Sequence, residues 1–178
     1  MSQTSKQVEW CLRKAEKEIE ECKKLGKRAK HRGLLKVETN LEEAKNHIKK
    51  AEENLNVVTS FDKNNFGFIV ISSLFYSMYH CFLAIAAKFG YESGNQTCTI
   101  ALIEHLIEEK KINLDSKFVD IMKYKDEQTN QQYPSIIDMR EDYTYSAKVS
   151  VEKEKIEELI TLCQELLEKT KEIVYDNL

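Results

Sequence analysis

From Asn64 to Ala87 the chain runs for 24 residues without one charged side chain, and Lys63 and Lys88 close the run at its two ends. As a helix this stretch would be about 36 Å long, enough to cross a hydrocarbon layer of about 30 Å. Its middle argues against that use, because Ser72, Ser73, Tyr76, Ser77, Tyr79 and His80 are polar groups that lipid penalises. A soluble bundle explains the run better. The neighbouring helical segments are amphipathic, and each needs an apolar surface to pack on. The expectation is an all-α, up-and-down bundle of about six helices around an uncharged central helix, roughly Phe66 to Phe89, with no membrane span.

The flanking patterns supply the other helices. Val8, Cys11, Leu12, Ala15, Ile19, Cys22 and Leu25 recur at steps of three and four, predicting a helix from about Ser5 to Arg32. Leu41, Ala44, Ile48, Ala51, Leu55 and Val58 form a heptad-like seam, with Thr39–Glu42 at capping-box spacing and Asn40 itself a good cap. The seam ends at a predicted turn over residues 60–65. Gly90 is placed to close the central helix. A fourth helix is expected over about Thr97 to Lys110 and a fifth after Asp115. Residues 126–150 lose the pattern and read as a long loop, which in a compact domain is usually functional or disordered. The last helix is expected from an N-cap at Ser150 to about Tyr175. No repeat or linker divides the chain, so residues 1–178 read as one domain.

Charge is unevenly spread. Residues 1–50 hold 14 Lys/Arg against 8 Asp/Glu, a net of +6, while the remainder holds 13 against 22, a net of −9. The basic excess gathers at Lys23, Lys24, Lys27, Arg28, Lys30, Arg32 and Lys36, a footprint for a polyanion such as RNA, or equally a solvated helix end. No aromatic residue interleaves with these cations, so local base stacking is not expected. The five cysteines are odd in number, widely spaced and without a CxxC pair. They read as reduced thiols of a cytoplasmic protein, consistent with an N-terminus that lacks an apolar leader.

Several chemistries are excluded by motif. There is no GxxxxGK or GxGxxG phosphate loop, no HExxH, no Glu-x-x-His pair and no G-x-S-x-G elbow. Cys and His do not cluster at zinc spacing, so neither a metal nor a cofactor is expected. Two groups remain as candidates. Tyr76, Tyr79 and His80 lie within the uncharged helix, and Arg140, Asp142, Tyr143 and Tyr145 lie at the end of the long loop. The second group can make directional hydrogen bonds and salt bridges to a ligand, or tie the loop to the bundle.

The run FYSMYHCFLAIAAKFGYES at Phe75–Ser93, followed by TIALIEHL at Thr99–Leu106, resembles the prokaryotic HEPN proteins (higher eukaryotes and prokaryotes nucleotide-binding). Those carry a tyrosine-rich helix, a short glycine turn and a further helix; Arg140, Asp142 and Tyr143 resemble their R…DY element ahead of the last helix. The similarity covers about residues 41–174 and leaves 1–36 as an N-terminal extension. It implies a homodimer, often beside a minimal nucleotidyltransferase partner in toxin–antitoxin or defence pairs, and a nucleotide or RNA ligand. Many members are metal-independent ribonucleases that use Arg, four to six residues, then His. Here the corresponding places after Arg140 hold Tyr145, Ser146 and Ala147, and no histidine follows His105. Tyrosine, with an ordinary pKa of about 10, is a poor general base. The reading is therefore a non-catalytic nucleotide- or RNA-binding accessory protein. Its alternatives are a ribonuclease using Arg140 with Tyr145, or with His80 from across a dimer interface, and a purely structural subunit.

Overall fold

The computed structural model describes residues 2–60, 67–124, 135–146 and 152–176. In chain order the elements are α1 (Gln3–Lys24), β1 (Leu34–Lys36), α2 (Leu41–Ser60), α3 (Gly67–Lys88), β2 (Tyr91–Ser93), α4 (Gln96–Glu108), α5 (Lys117–Ile121), α6 (Ile136–Tyr145) and α7 (Lys153–Tyr175). The all-α bundle is what the hydrophobic periodicity predicted. Phe66, the turn after Ser60 and the expected cap at Ser150 lie outside the described residues.

The uncharged run becomes α3, and it is central because most of its circumference is covered. α2 packs along it most extensively, α7 and α6 cover further faces, and α4 and β2 close its C-terminal end. Fourteen of its residues are buried, among them Leu74, Phe75, Met78, Phe82 and Ile85. It is long and apolar enough to cross a membrane, yet 61% of its most apolar stretch is buried inside the protein. Gly90 takes φ +73°, ending α3 as expected. The seam of α2 buries Ala44, Ile48, Ala51, Leu55 and Val58 as read. Its cap is Asn40, whose Oδ1 accepts from Glu43 N at 3.0 Å while its Nδ2 donates to Glu43 Oε2 at 3.1 Å. One apolar core joins side chains from α1 through α7.

Four expectations are corrected. First, α1 stops at Lys24 instead of Arg32. Leu25 caps it, Gly26 takes φ +62°, and Lys27 N and Gly26 N close back on Cys22 O and Lys23 O. This is the paired 6→1 and 5→2 closure that a left-handed glycine permits. Second, two short strands appear. β1 and β2 pair antiparallel, Leu34 opposite Ser93 and Lys36 opposite Tyr91. Three residues per strand are too few to show alternation, so only the meeting of two distant loops creates them. Third, the pattern-free loop contains α6, making seven helices among the described residues. Ser135 caps α6 by accepting from Asp138 N at 3.2 Å, and Ile136 and Ile137 are buried. Two adjacent apolar residues carry no helical period; tertiary burial selects the helix. Fourth, Cys11 and Cys98 are not free thiols. They form a disulfide between α1 and α4, leaving Cys22, Cys81 and Cys163 free. Neither position announces the other, since they stand 87 residues apart.

Candidate functional site

One strip of α3 is left uncovered between its neighbours. Phe68 and Tyr76 are exposed, while Ser72, Tyr79, His80 and Leu83 are partly so. These positions recur every three or four residues and therefore share a face. On one side α2 borders the strip, where Ser77 Oγ donates to Ala51 O at 2.7 Å and His80 meets His47. On the other side stands α6, whose Arg140 guanidinium carbon lies 4.2 Å from the ring centroid of buried Phe75. Tyr76 sets its edge against that same ring at 5.2 Å, and Tyr79 stacks on it at 6.0 Å. The fold thus gathers Arg140, Tyr76 and Tyr79 around Phe75, a residue that sequence reading placed only in the helix. Arg140 is partly exposed and enters no ion pair among the described residues. Its charge stays available over an aromatic face, the arrangement of a cation–π contact.

Other candidates separate. Tyr145 lies five residues beyond Arg140 on α6, about 140° around the helix, and it is 86% exposed. It does not stand beside Arg140. Asp142 is exposed too, whereas Tyr143, on the Arg140 side, packs against the core. Tyr79 OH shares a 3.2 Å hydrogen bond with Thr99 Oγ1, and burial raises its phenol pKa, partly offset by that bond. It is positioned as a packing group with a satisfied hydroxyl. His80 is occupied within its own chain: its Nδ1 lies 3.0 Å from His47 Nδ1, and the rings stack with centroids 5.1 Å apart. Burial lowers the pKa of both imidazoles. For His47 it falls to about 4, with the His80 and Lys50 charges adding to the effect. His47 was not singled out by sequence, because a lone histidine beside a heptad seam carries no local signal.

The basic cluster is exposed at all seven positions, Lys23, Lys24, Lys27, Arg28, Lys30, Arg32 and Lys36. Arg32 pairs with Glu18 at 3.7 Å; the other six enter no ion pair among the described residues. Because α1 ends early, the segment after Gly26 is a loop that folds back beside α1. Lys27, Arg28, Lys30 and Arg32 line a cavity of about 750 Å³ with Glu18, Glu21, His31 and Glu92. His31 holds the loop to β2, its Nε2 3.2 Å from Glu92 Oε1. A second cavity of about 410 Å³ adjoins at Glu18 and Glu21 and is walled by Trp10, Arg13, Lys14 and Lys17. Trp10, the single tryptophan of the chain, is 53% exposed, with Lys14 Nζ 5.0 Å from its ring centroid. No aromatic residue other than histidine lines the cavity beside the cluster, and Trp10 stands instead with Arg13, Lys14 and Lys17 in the adjoining one. It lies thirteen residues before Lys23 along the sequence, and the α1 helix carries it onto the same exposed side.

Comparison with known proteins returns no match: no family model matches the chain, and no curated protein is similar enough to count as a relative.

Proposed function

We propose that this chain binds single-stranded RNA without cleaving it, along the exposed side of α1 and the loop that follows. The observation that carries the reading is Trp10, a half-exposed indole with the Lys14 ammonium 5.0 Å from its ring centroid and no ion pair for Lys14 among the described residues. Single strands are held by a basic track that follows the phosphates and by aromatic faces on which bases stack. Arg140, with Tyr76 beside it on the α3 strip, offers a second phosphate contact. In line with the HEPN resemblance, the reading includes a homodimer formed through the uncovered α3 strip. It also includes an accessory or regulatory role beside a minimal nucleotidyltransferase, as in a toxin–antitoxin or defence pair. A cytoplasmic location belongs to the same reading. The Cys11–Cys98 disulfide is commoner in oxidising compartments, so thiol trapping in intact cells tests that part directly.

Binding is measured by quenching of the single tryptophan and by anisotropy of a labelled oligoribonucleotide. Affinity should fall on raising salt. Replacing Lys24, Lys27, Arg28 and Lys30 by Ser should flatten the log–log salt slope by about 0.7 per lost phosphate contact. Trp10→Ala should weaken binding about tenfold, the lower part of the range for base stacking. Salt-independent binding, or full affinity in both variants, would sink the proposal. Metal-free cleavage abolished by Arg140→Ala would establish the ribonuclease alternative instead.

A further inference from the structure

We propose that His47 on α2 and His80 on α3 form an open, two-histidine site for a divalent transition-metal ion of the zinc class, with water completing its coordination. The two Nδ1 atoms stand 3.0 Å apart. Metal–imidazole bonds of about 2.0–2.1 Å place two neighbouring ligand nitrogens about 2.9–3.4 Å apart, depending on the angle at the ion. The pair already has that spacing. It is carried by two helices packed on each other along most of their length, so the donors are held by the fold.

A carboxylate stands near the far side of one of the two rings. His47 Nε2 faces Glu43 Oε1, one helical turn earlier on α2, at 3.9 Å. The second carboxylate oxygen of Glu43 accepts from Asn40 Nδ2 at 3.1 Å. At 3.9 Å the Glu43–His47 approach is no hydrogen bond, and a small movement of Glu43 toward the ring would let it accept from Nε2 as a carboxylate behind a ligating imidazole does. Without metal, one ring donates N–H to the other. With metal, both Nδ1 atoms become donors of lone pairs and each ring carries its proton on Nε2, which on His47 points toward Glu43. The change is a tautomer shift and releases no net proton. Both rings are neutral at pH 7, the form that binds metal, chiefly because burial disfavours imidazolium, while the Lys50 charge disfavours imidazolium and a bound dication alike.

Imidazole donors suit zinc, copper and nickel over calcium or magnesium. No group of three or more His, Cys, Asp or Glu gathers among the described residues. The remaining coordination positions therefore fall to solvent or to an incoming ligand, as in sites that keep an open position. Sequence reading excluded a metal because these ligands stand 33 residues apart in the chain and meet only across the helix interface.

The test uses the full chain after chelator treatment and buffer exchange, titrated with zinc chloride by calorimetry and with cobalt chloride by visible absorbance. One ion per chain is expected. His47→Gln and His80→Gln should each lower zinc affinity at least tenfold, Glu43→Gln several-fold, and Cys22→Ser should not change it. Zinc should also protect His47 and His80 of the unaltered protein from diethyl pyrocarbonate, read by peptide mass spectrometry. That second measurement stands even where a variant folds poorly. Absence of binding at 100-fold molar excess, or zinc affinity in either histidine variant as high as in the unaltered protein, or no protection, overturns the proposal.

Discussion

Reducing the Cys11–Cys98 bond should lower the stability of the folded chain by several kcal/mol. The bond spans 87 residues, from the third turn of α1 to the first turn of α4. In the chain-entropy relation a loop of that length loses about 15 cal/mol/K in the unfolded state, about 4.6 kcal/mol at 25 °C. At about 2–4 °C per kcal/mol for a chain of this size, the melting midpoint should drop by about 9–18 °C. The effect should concentrate on α1, which packs chiefly on α4 and β1. Its remaining polar ties to α4 are few: Thr4 donates to Glu108, and Ser5 meets His105 at 3.4 Å. The assay is thermal unfolding followed by circular dichroism, with and without a phosphine reductant, beside the Cys11→Ala/Cys98→Ala variant. Under denaturing, non-reducing conditions, alkylation should count three thiols. Five thiols under those denaturing, non-reducing conditions, or oxidised and reduced midpoints within 2 °C, would refute the reasoning and return all five cysteines to the reduced state expected from sequence.

Three further outcomes are expected. Gly33→Ala should destabilise by about 3 kcal/mol in urea titration, because its new Cβ would stand 2.2 Å from Cys11 O and 2.8 Å from Ala15 N, backbone atoms of α1. Acid should act through His47. Its folded pKa of about 4 lies below the ordinary 6.5, so the unfolded chain binds the extra proton and stability falls as pH drops from 6.5 toward 4. The loss from His47 is at most about 3 kcal/mol, and His47→Gln in metal-free buffer should narrow the difference in urea midpoints between pH 7 and pH 5, with His80 sustaining the remainder. Among the free cysteines, iodoacetamide should label Cys22 well before Cys81 and Cys163. Burial pushes the Cys81 thiol up and the Cys163 thiol up to about 11, while Cys22 is partly exposed.

The candidate sites were legible to very different degrees. The cations of 23–36 were visible because charge is a property of composition, and exposure followed from their number. Arg140 was singled out by residue type, but its partner Phe75 was not, since a cation–π contact between helices 65 residues apart leaves no trace in spacing. Trp10 was visible as a residue, but its neighbourhood was not. Position 10 falls off the apolar face that Val8, Cys11, Leu12 and Ala15 mark, which points the indole outward, but only the folded chain shows the cavity it lines with Arg13, Lys14 and Lys17.

What the chain determined by itself is the bundle. Twenty-four uncharged residues flanked by amphipathic segments can hide their apolar surface only by becoming a helix that others surround. The hydrophobic period writes that outcome locally, residue by residue. Tertiary structure alone decided the features with the sharpest chemistry. These are the Cys11–Cys98 bond, the His47–His80 contact, the β1–β2 pairing and the seating of Arg140 of α6 over Phe75 of α3. Each joins groups far apart in the chain, and such pairs cost loop-closure entropy that only the assembled core offsets. No local pattern could encode them.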